Sequence, residues 1–405
     1  MTPRAADLVP KIVAGDGDVI GNSLSFVRTH LDMEVAYLSE FVGEDMVFRA
    51  VCAPGLEDMI AVGGSMPLDQ VYCRHIIEGR LPELIPDTAD VAFAQDIPIT
   101  NTLPIRAHVS IPIRRADGSV YGMFCCLSRE PRASLNTRDL EVTRAFAALS
   151  ADQINMRLIS QTAQQAKRKT IETILETGAF EIALQPIMTL QETGTAGYEA
   201  LCRFTPLPYR PPNLWFEDAA EVGLQTALEL NVIKAALGIL VDLPKVCYLA
   251  VNTSPETLAS GEIYPLVQAV GGKRVVIEIT EHAVIDDIDV LLMEIDCLRD
   301  LGARIAIDDA GAGYSGLQQI IRLRPDVIKL DMSLTQDVDK NVARRSLASA
   351  MVQFARDTNA RVVAEGIETE AEMRTLRMIG VELGQGYHLG RPALASEVLP
   401  VIRIA

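Results

Sequence analysis

From about residue 177 onward, short apolar runs alternate with longer stretches that are apolar on one side only. Eight such runs begin near Glu181, Thr195, Val246, Arg274, Arg304, Asp326, Arg361 and Glu382. After the second run the intervening segments are long enough to hold helices, which predicts repeated strand–helix units closing into a (β/α)8, TIM-like barrel over 177–405. The first two runs are separated only by residues 190–194. Parallel neighbours need a crossover of about a dozen residues or more. The first two strands are therefore expected to pair antiparallel, giving a barrel with one reversed strand.

The first 150 residues follow a different, α+β pattern. Residues 35–51 read as two strands broken by Gly43-Glu44-Asp45, and residues 110–127 read as a hairpin turning at Ala116-Asp117-Gly118. No paired acids or metal-spaced ligands occur there, so this part is expected to sense or scaffold. Asn136 can cap a helix, with Asp139 and Glu141 in its first turn. The stretch that follows is free of Pro and Gly to residue 176, and Ile154, Leu158, Ala163, Ala166, Ile171 and Ile174 recur near helical spacing. A connecting helix over 136–176 is expected. It either pairs with its twin in a homodimer or packs on its own domain.

Composition narrows the class. A formal net charge of −17 argues against binding a nucleic-acid polymer, which needs clustered cations. It leaves room for a small phosphate ligand, because bound divalent cations reverse the local field. Seven scattered cysteines, none in a CxxC pair, suit reduced thiols in a cytoplasmic protein. The first fifteen residues lack the apolar core of a signal peptide, and no run of ~18 apolar residues is present to span a membrane.

The chemistry lies at the carboxyl ends of the expected barrel strands, where barrel enzymes place their active sites. Glu199, Asn252, Glu278, Asp308-Asp309, Lys329 and Glu365 each follow an apolar run. Taken singly, each has an ordinary explanation: a solvated rim residue, a turn, a helix start. Brought to one rim, their carboxylates would repel strongly without cations. Hard oxygen donors without Cys or His favour Mg²⁺ or Mn²⁺ over zinc or copper. Two such ions would clamp a phosphodiester for attack by an activated water. The residues by themselves reach a two-metal phosphoester hydrolase.

The ordered blocks Gln185-Pro186-Ile187, Glu199-Ala200-Leu201 with Arg203, Val251-Asn252, Glu278-Ile279-Thr280-Glu281, Asp308-Asp309, Lys329-Leu330-Asp331, Ala364-Glu365-Gly366-Ile367-Glu368 and Gln385-Gly386-Tyr387 resemble the EAL domain. Members of that family hydrolyse cyclic di-GMP to linear pGpG. The resemblance covers essentially residues 170–405. It implies that Glu199, Asn252, Glu278 and Asp308 hold one ion, and that Asp308 bridges to a second held by Asp309 and Glu365. Mg²⁺ or Mn²⁺ would serve, and Ca²⁺ is expected to inhibit. Lys329 or Glu365 would activate the water, a choice the sequence leaves open. Gln185, Arg203 and Gln385 would contact substrate, while Glu281, Asp331 and Glu368 would support the inner residues.

One segment departs from that family's pattern. Ala310-Gly311-Ala312-Gly313-Tyr314-Ser315-Gly316 stands where most members have Phe-Gly-Thr-Gly-Tyr-Ser-Ser, and the loss of the aromatic anchor implies lower or more regulated activity. The alternative is a receptor that binds cyclic di-GMP without hydrolysis and signals through the connecting helix. The N-terminal region resembles a GAF domain through Tyr72-Cys73-Arg74, Pro86-Asp87-Thr88 and the hairpin from Ser110-Ile111-Pro112 to Tyr121-Gly122. That resemblance implies either a small ligand or none, and a regulatory role. Cys73 there reads as a small buried thiol, and no motif for cyclase activity is present.

Overall fold

The computed structural model describes residues 18–192, 194–280, 288–310 and 316–402. Contacts divide the chain into two units, 1–163 and 164–405. The helix Thr137–Thr177 runs through the boundary. Its start is fixed by Asn136, whose Oδ1 accepts the Arg138 N–H at 2.9 Å.

The first unit is built on a six-stranded antiparallel sheet. Its strand order is Ser65–Pro67, Asp45–Cys52, Val35–Val42, Val120–Ser128, Ala107–Arg114, Leu84–Ile85. Alternation along the central strands serves two cores. Val35, Tyr37, Met123 and Cys125 face one cluster, whereas Ala36, Leu38, Phe124 and Cys126 face the other with the helix Val19–His30. The expected turn at Ala116-Asp117-Gly118 falls between paired strands, and that at Gly43-Glu44-Asp45 narrows to Gly43-Glu44, because Asp45 already pairs with Val42. Gly43 and Gly118 adopt φ of 63° and 85° there, a conformation costly for residues with a Cβ.

The second unit is the barrel. Strand Phe180–Thr189 pairs antiparallel with Gly194–Phe204. Parallel pairings then follow through Tyr248–Thr253, Val275–Thr280, Arg304–Ala310, Val327–Leu330, Arg361–Ala364 and Leu383–Gly384. The last of these closes antiparallel on the first. The reversed strand is thus observed where the short 190–194 connection requires it.

Period-two alternation along these strands stacks the barrel interior in layers. Ile187, Ala250, Val276, Ala306, Val327, Val363 and Leu383 form one buried apolar cluster. One step further along the same face of each parallel strand stand Asn252, Glu278, Asp308, Lys329, Glu365 and Gln385. On the reversed strand the same step runs backwards, from Ile187 to Gln185. A polar layer therefore lies directly on an apolar one. Gly197 makes room below Glu199, since a Cβ at Gly197 would stand 2.7 Å from the Tyr248 ring.

Among the described residues no helix is long and apolar enough to cross a membrane.

Candidate active site

The polar layer gathers the acids around one cation of the chain itself. Lys329, in the strand Val327–Leu330, is only 1% exposed. Its Nζ lies 2.7 Å from Glu365 Oε1, 2.8 Å from Glu278 Oε2, 3.1 Å from Asp308 Oδ1 and 3.6 Å from Glu199 Oε2. Such pairs, each worth about 4 kcal/mol at ~4 Å in an effective dielectric near 20, offset the cost of burying an ammonium. Burial by itself would lower the lysine's pKa. The surrounding Glu199, Glu278, Glu365 and Asp308 overcome it and hold the ammonium well above its usual range.

The acids divide in their response. Burial pushes the Glu278 carboxyl well up; Lys329 opposes this, and Glu199 and Asp308 reinforce it. Burial likewise pushes Glu365 up to about 8 against the pull of Lys329. For Glu199, burial is outweighed by Lys329 and by hydrogen bonds, so its carboxyl sits below the ordinary value. Those hydrogen bonds come from Gln385 Nε2 to Oε2 at 2.7 Å and from Asn252 Nδ2 to Oε1 at 2.8 Å.

Asp308 and Asp309 reach the same centre through an irregularity in their strand. The register with Val327–Leu330 shifts between Ile307 and Ala310, and Asp309 has φ of 58°. A regular strand would send consecutive side chains to opposite faces; a bulge re-aims one of them. Carboxylate oxygens of Asp308, Asp309 and Glu365 lie within 4.8 Å of one another, as do those of Glu199, Glu278 and Asp308. Asp308 belongs to both groups.

Glu199 departs from the expected strand-end position. Its strand continues through Ala200 to Phe204, because the antiparallel hairpin pairing Gln185 with Glu199 extends to Phe180 and Phe204. Glu365 lies just beyond the strand Arg361–Ala364, and Gly366 then turns the chain with φ of 64°. A Cβ on Gly366 would stand 2.6 Å from Met332 Cβ.

The expected substrate residues fall into two places. Gln185 and Gln385 join the acids: Gln385 Nε2 also donates to Gln185 Oε1 at 2.9 Å, and Gln185 Nε2 donates to the Gly390 carbonyl at 3.3 Å. With Glu199, Asp308, Lys329 and Glu365 they line a cavity of about 290 Å³ whose rim includes Glu368 and Tyr387. Gln385 Oε1 is buried without a hydrogen-bond partner. Arg203 lines an adjoining cavity of about 310 Å³ with Asn252 and Phe216, and its Nη1 donates to the Cys202 carbonyl at 2.8 Å. Asp331 caps the short helix Met332–Thr335 by accepting the Ser333 N–H at 2.9 Å. Glu281 and residues 311–315 of the departing segment lie outside the described residues.

Two further acids matter here that the sequence reading did not single out. Glu372 accepts the backbone N–H groups of Glu368 and Thr369 at 3.0 Å each and that of Asp337 at 2.8 Å, bracing the segment after Glu365. The Thr369-x-x-Glu372 capping box was readable in the sequence. Glu229 sits among Leu228, Ile233, Ala236 and Leu237 on the buried face of the helix Gln225–Ile239. An acid on an apolar face was the only sign of it.

The donor set suits a divalent metal. Five carboxylates against one ammonium leave four negative charges when all are ionised, and burial among like charges pushes the Glu278 and Glu365 carboxyls up. All offered atoms are hard oxygens.

The family model of the EAL domain matches residues 163–392, more than half of the chain. The chain belongs to the EAL domain family. Residues 19–154 match the family model of the GAF domain. Over 244 residues the chain is 30% identical to the probable cyclic di-GMP phosphodiesterase PdeA of Escherichia coli K12, covering 57% of this chain and 33% of that protein. A solved structure of the PaMucR phosphodiesterase in complex with c-di-GMP superimposes on the EAL unit with a TM-score of 0.52 and 26% identity, covering 57% of this chain and 99% of that one. An EAL domain protein from Listeria monocytogenes EGD-e, at a TM-score of 0.52 and 22% identity over 57% of this chain and 96% of that one, shares the fold. This chain spans about a third of the length of the curated relatives it matches.

Proposed function

We propose that this chain hydrolyses cyclic di-GMP to linear pGpG with two divalent cations, Mg²⁺ or Mn²⁺. The observation that carries the reading is the double role of Asp308, whose carboxylate belongs to two acidic triads at once. The four unbalanced negative charges match two divalent ions. Glu199, Glu278, Asp308 and Asn252 would hold one, and Asp308, Asp309 and Glu365 the other. The ions, when bound, supply the charge that lowers the pKa of an attacking water and neutralises the phosphodiester.

The chain's own groups do the rest. Lys329 sets the charge balance and, with its Nζ 2.7 Å from Glu365 Oε1, would orient an attacking water there. Glu365, whose Oε1 lies 2.7 Å from Lys329 Nζ, is the other group placed to take the proton of the attacking water. Gln385 and Gln185 form an amide chain that fixes Glu199 and offers the unpartnered Gln385 Oε1 to a bound group. Arg203, at the neighbouring cavity, suits a phosphate oxygen by its planar fork. Support for the substrate comes from the relatives: PdeA is named a probable cyclic di-GMP phosphodiesterase, and PaMucR was solved with c-di-GMP.

The GAF unit is read as a regulator that acts in a homodimer. It contains a cavity of about 240 Å³ lined by Tyr37, Phe48, Met66 and Tyr72, suited to a small, largely apolar ligand. His108 also lines it, and its Nδ1 is buried without a partner. Cys73 is a buried thiol, with Sγ 3.5 Å from Met46 Sδ.

The test is the whole 405-residue chain with Mg²⁺ or Mn²⁺ and cyclic di-GMP, followed for pGpG, beside the form lacking residues 1–150. Absence of turnover in both forms would reject the hydrolase. Tight binding of intact cyclic di-GMP in the presence of metal would establish the receptor instead. An unchanged rate and metal response after truncation would remove the regulatory role.

A further inference from the structure

Asn252 is the one neutral residue in the proposed cation site, and it lies at the end of the strand Tyr248–Thr253, where the chain leaves the barrel wall. Its amide group is oriented by donating Nδ2 to Glu199, which leaves the carbonyl oxygen as the end suited to a cation. Beside the ladder that pairs Asn252 with Glu278 and Thr253 with Ile279, a buried carboxylate from another element grips the two residues that follow Asn252.

Glu229 is 7% exposed. Its Oε2 accepts three hydrogen bonds from the two residues after Asn252: the Ser254 N–H at 2.8 Å, the Ser254 hydroxyl at 3.0 Å and the Thr253 hydroxyl at 3.2 Å. Its Oε1 accepts the Gln225 side-chain amide at 2.9 Å. A buried acid with so many donors is satisfied without a cationic partner. Ser254 Oγ in turn accepts the Thr257 N–H and caps the helix Pro255–Ala259. The turn that follows Asn252 is thereby tied at one point to the helix Gln225–Ile239.

We propose that Glu229 is a positioning residue for the cation site, fixing Asn252 by clamping Thr253 and Ser254. The inference rests on the reading that Asn252 binds a cation. A glutamine at 229 nearly keeps the shape but replaces one acceptor oxygen by an NH₂ group. That group would face either the Gln225 amide or the Ser254 and Thr253 donors, so the clamp loosens. Outer partners of metal ligands commonly carry 10- to 100-fold in metal affinity.

Calorimetric titration of the full chain with Mn²⁺, without substrate, reads this directly. Glu229→Gln is expected to weaken Mn²⁺ binding about 10-fold or more, and Asn252→Ala to weaken it as well. The double variant should fall short of the sum, because both changes act through one ligand. Wild-type Mn²⁺ affinity in Glu229→Gln beside a loss in Asn252→Ala overturns the positioning role alone. Wild-type affinity in Asn252→Ala overturns the reading of Asn252 as a ligand and this role with it. A fall in Tm of Glu229→Gln without a change in affinity marks a merely structural acid and also overturns the proposal. If Glu229→Gln does not fold, Thr253→Val/Ser254→Ala removes the two hydroxyl donors and keeps the backbone one. A loss of about threefold or more is expected there, and unchanged affinity overturns the clamp.

Discussion

Asp309 donates its backbone N–H to the carboxylate of Asp308 at 2.9 Å while itself holding φ of 58°. Both acids thus depend on the backbone of Asp309: the left-handed residue re-aims its own side chain and pins its neighbour's. The bulge is what lets two consecutive residues serve one centre.

Replacing Asp309 separates conformation from charge. Asn visits left-handed φ readily, whereas a β-branched residue does not. Asp309→Asn should unfold in urea within ~0.5 kcal/mol of the parent yet bind Mn²⁺ more weakly. Asp309→Val should lose about 1–3 kcal/mol as well. Equal Mn²⁺ binding by Asp309→Asn and the parent would remove Asp309 from the cation site.

Lys329 is the charge around which the acids are arranged. Lys329→Met keeps the length and removes the ammonium, leaving buried carboxylates uncompensated at a cost of roughly 3–5 kcal/mol in the ion-free protein. Added Mn²⁺ should therefore raise the Tm of the variant more than that of the parent, while turnover of cyclic di-GMP falls by about 10²-fold or more. A variant that is as stable as the parent without metal would show that the lysine does not neutralise the cluster.

Protons and cations compete for Glu365. Because its carboxyl is pushed up to about 8 in the ion-free fold, uptake of a divalent ion must displace a proton. Mn²⁺ affinity is expected to fall as pH drops below about 8, and calorimetry in buffers of different ionisation enthalpy should register proton release. Without metal the sign for folding is the reverse of a salt-bridged acid. The folded carboxyl keeps its proton where the unfolded chain has lost it, so its stabilising share is present at low pH and fades as pH climbs toward 8. A pH-independent Mn²⁺ affinity over that window would contradict this.

Calcium tests the tightness of the cage. Mg²⁺ demands oxygen contacts of about 2.0–2.1 Å, whereas Ca²⁺ takes 2.3–2.6 Å and more ligands. Ca²⁺ is expected to bind and block turnover, with activity recovered by excess Mn²⁺; chelation should abolish activity altogether. Turnover supported by Ca²⁺ alone would argue against a rigid two-ion arrangement.

Much of the barrel was legible because its signals are local. The short 190–194 connection dictates a reversed strand, and the apolar runs mark strand starts to within about two residues. Residues 35–51 and 110–127 showed their turns through Gly43 and Gly118 for the same reason. The acids could be named, but their convergence rests on the layer step between, for example, Val276 and Glu278, which shows only once strand register is known. The long reach of the Glu199 strand was missed because its pairing partner, not its own sequence, sets the length. Arg203 and Gln185 share a type of chemistry, and the sequence does not show that Arg203 lines the cavity beside Asn252 while Gln185 lines the adjoining one beside Glu365. Glu229 showed in the sequence only as an acid on an apolar helix face, because the Thr253 and Ser254 donors it clamps lie more than twenty residues away.

The greasy ring of Ile187, Val276, Val327, Val363 and their neighbours stops up the lower end of the barrel. Among the described residues the proposed cation site is therefore closed from below, and under the proposed reading an ion seated beneath a bound nucleotide is expected to be trapped until the product departs.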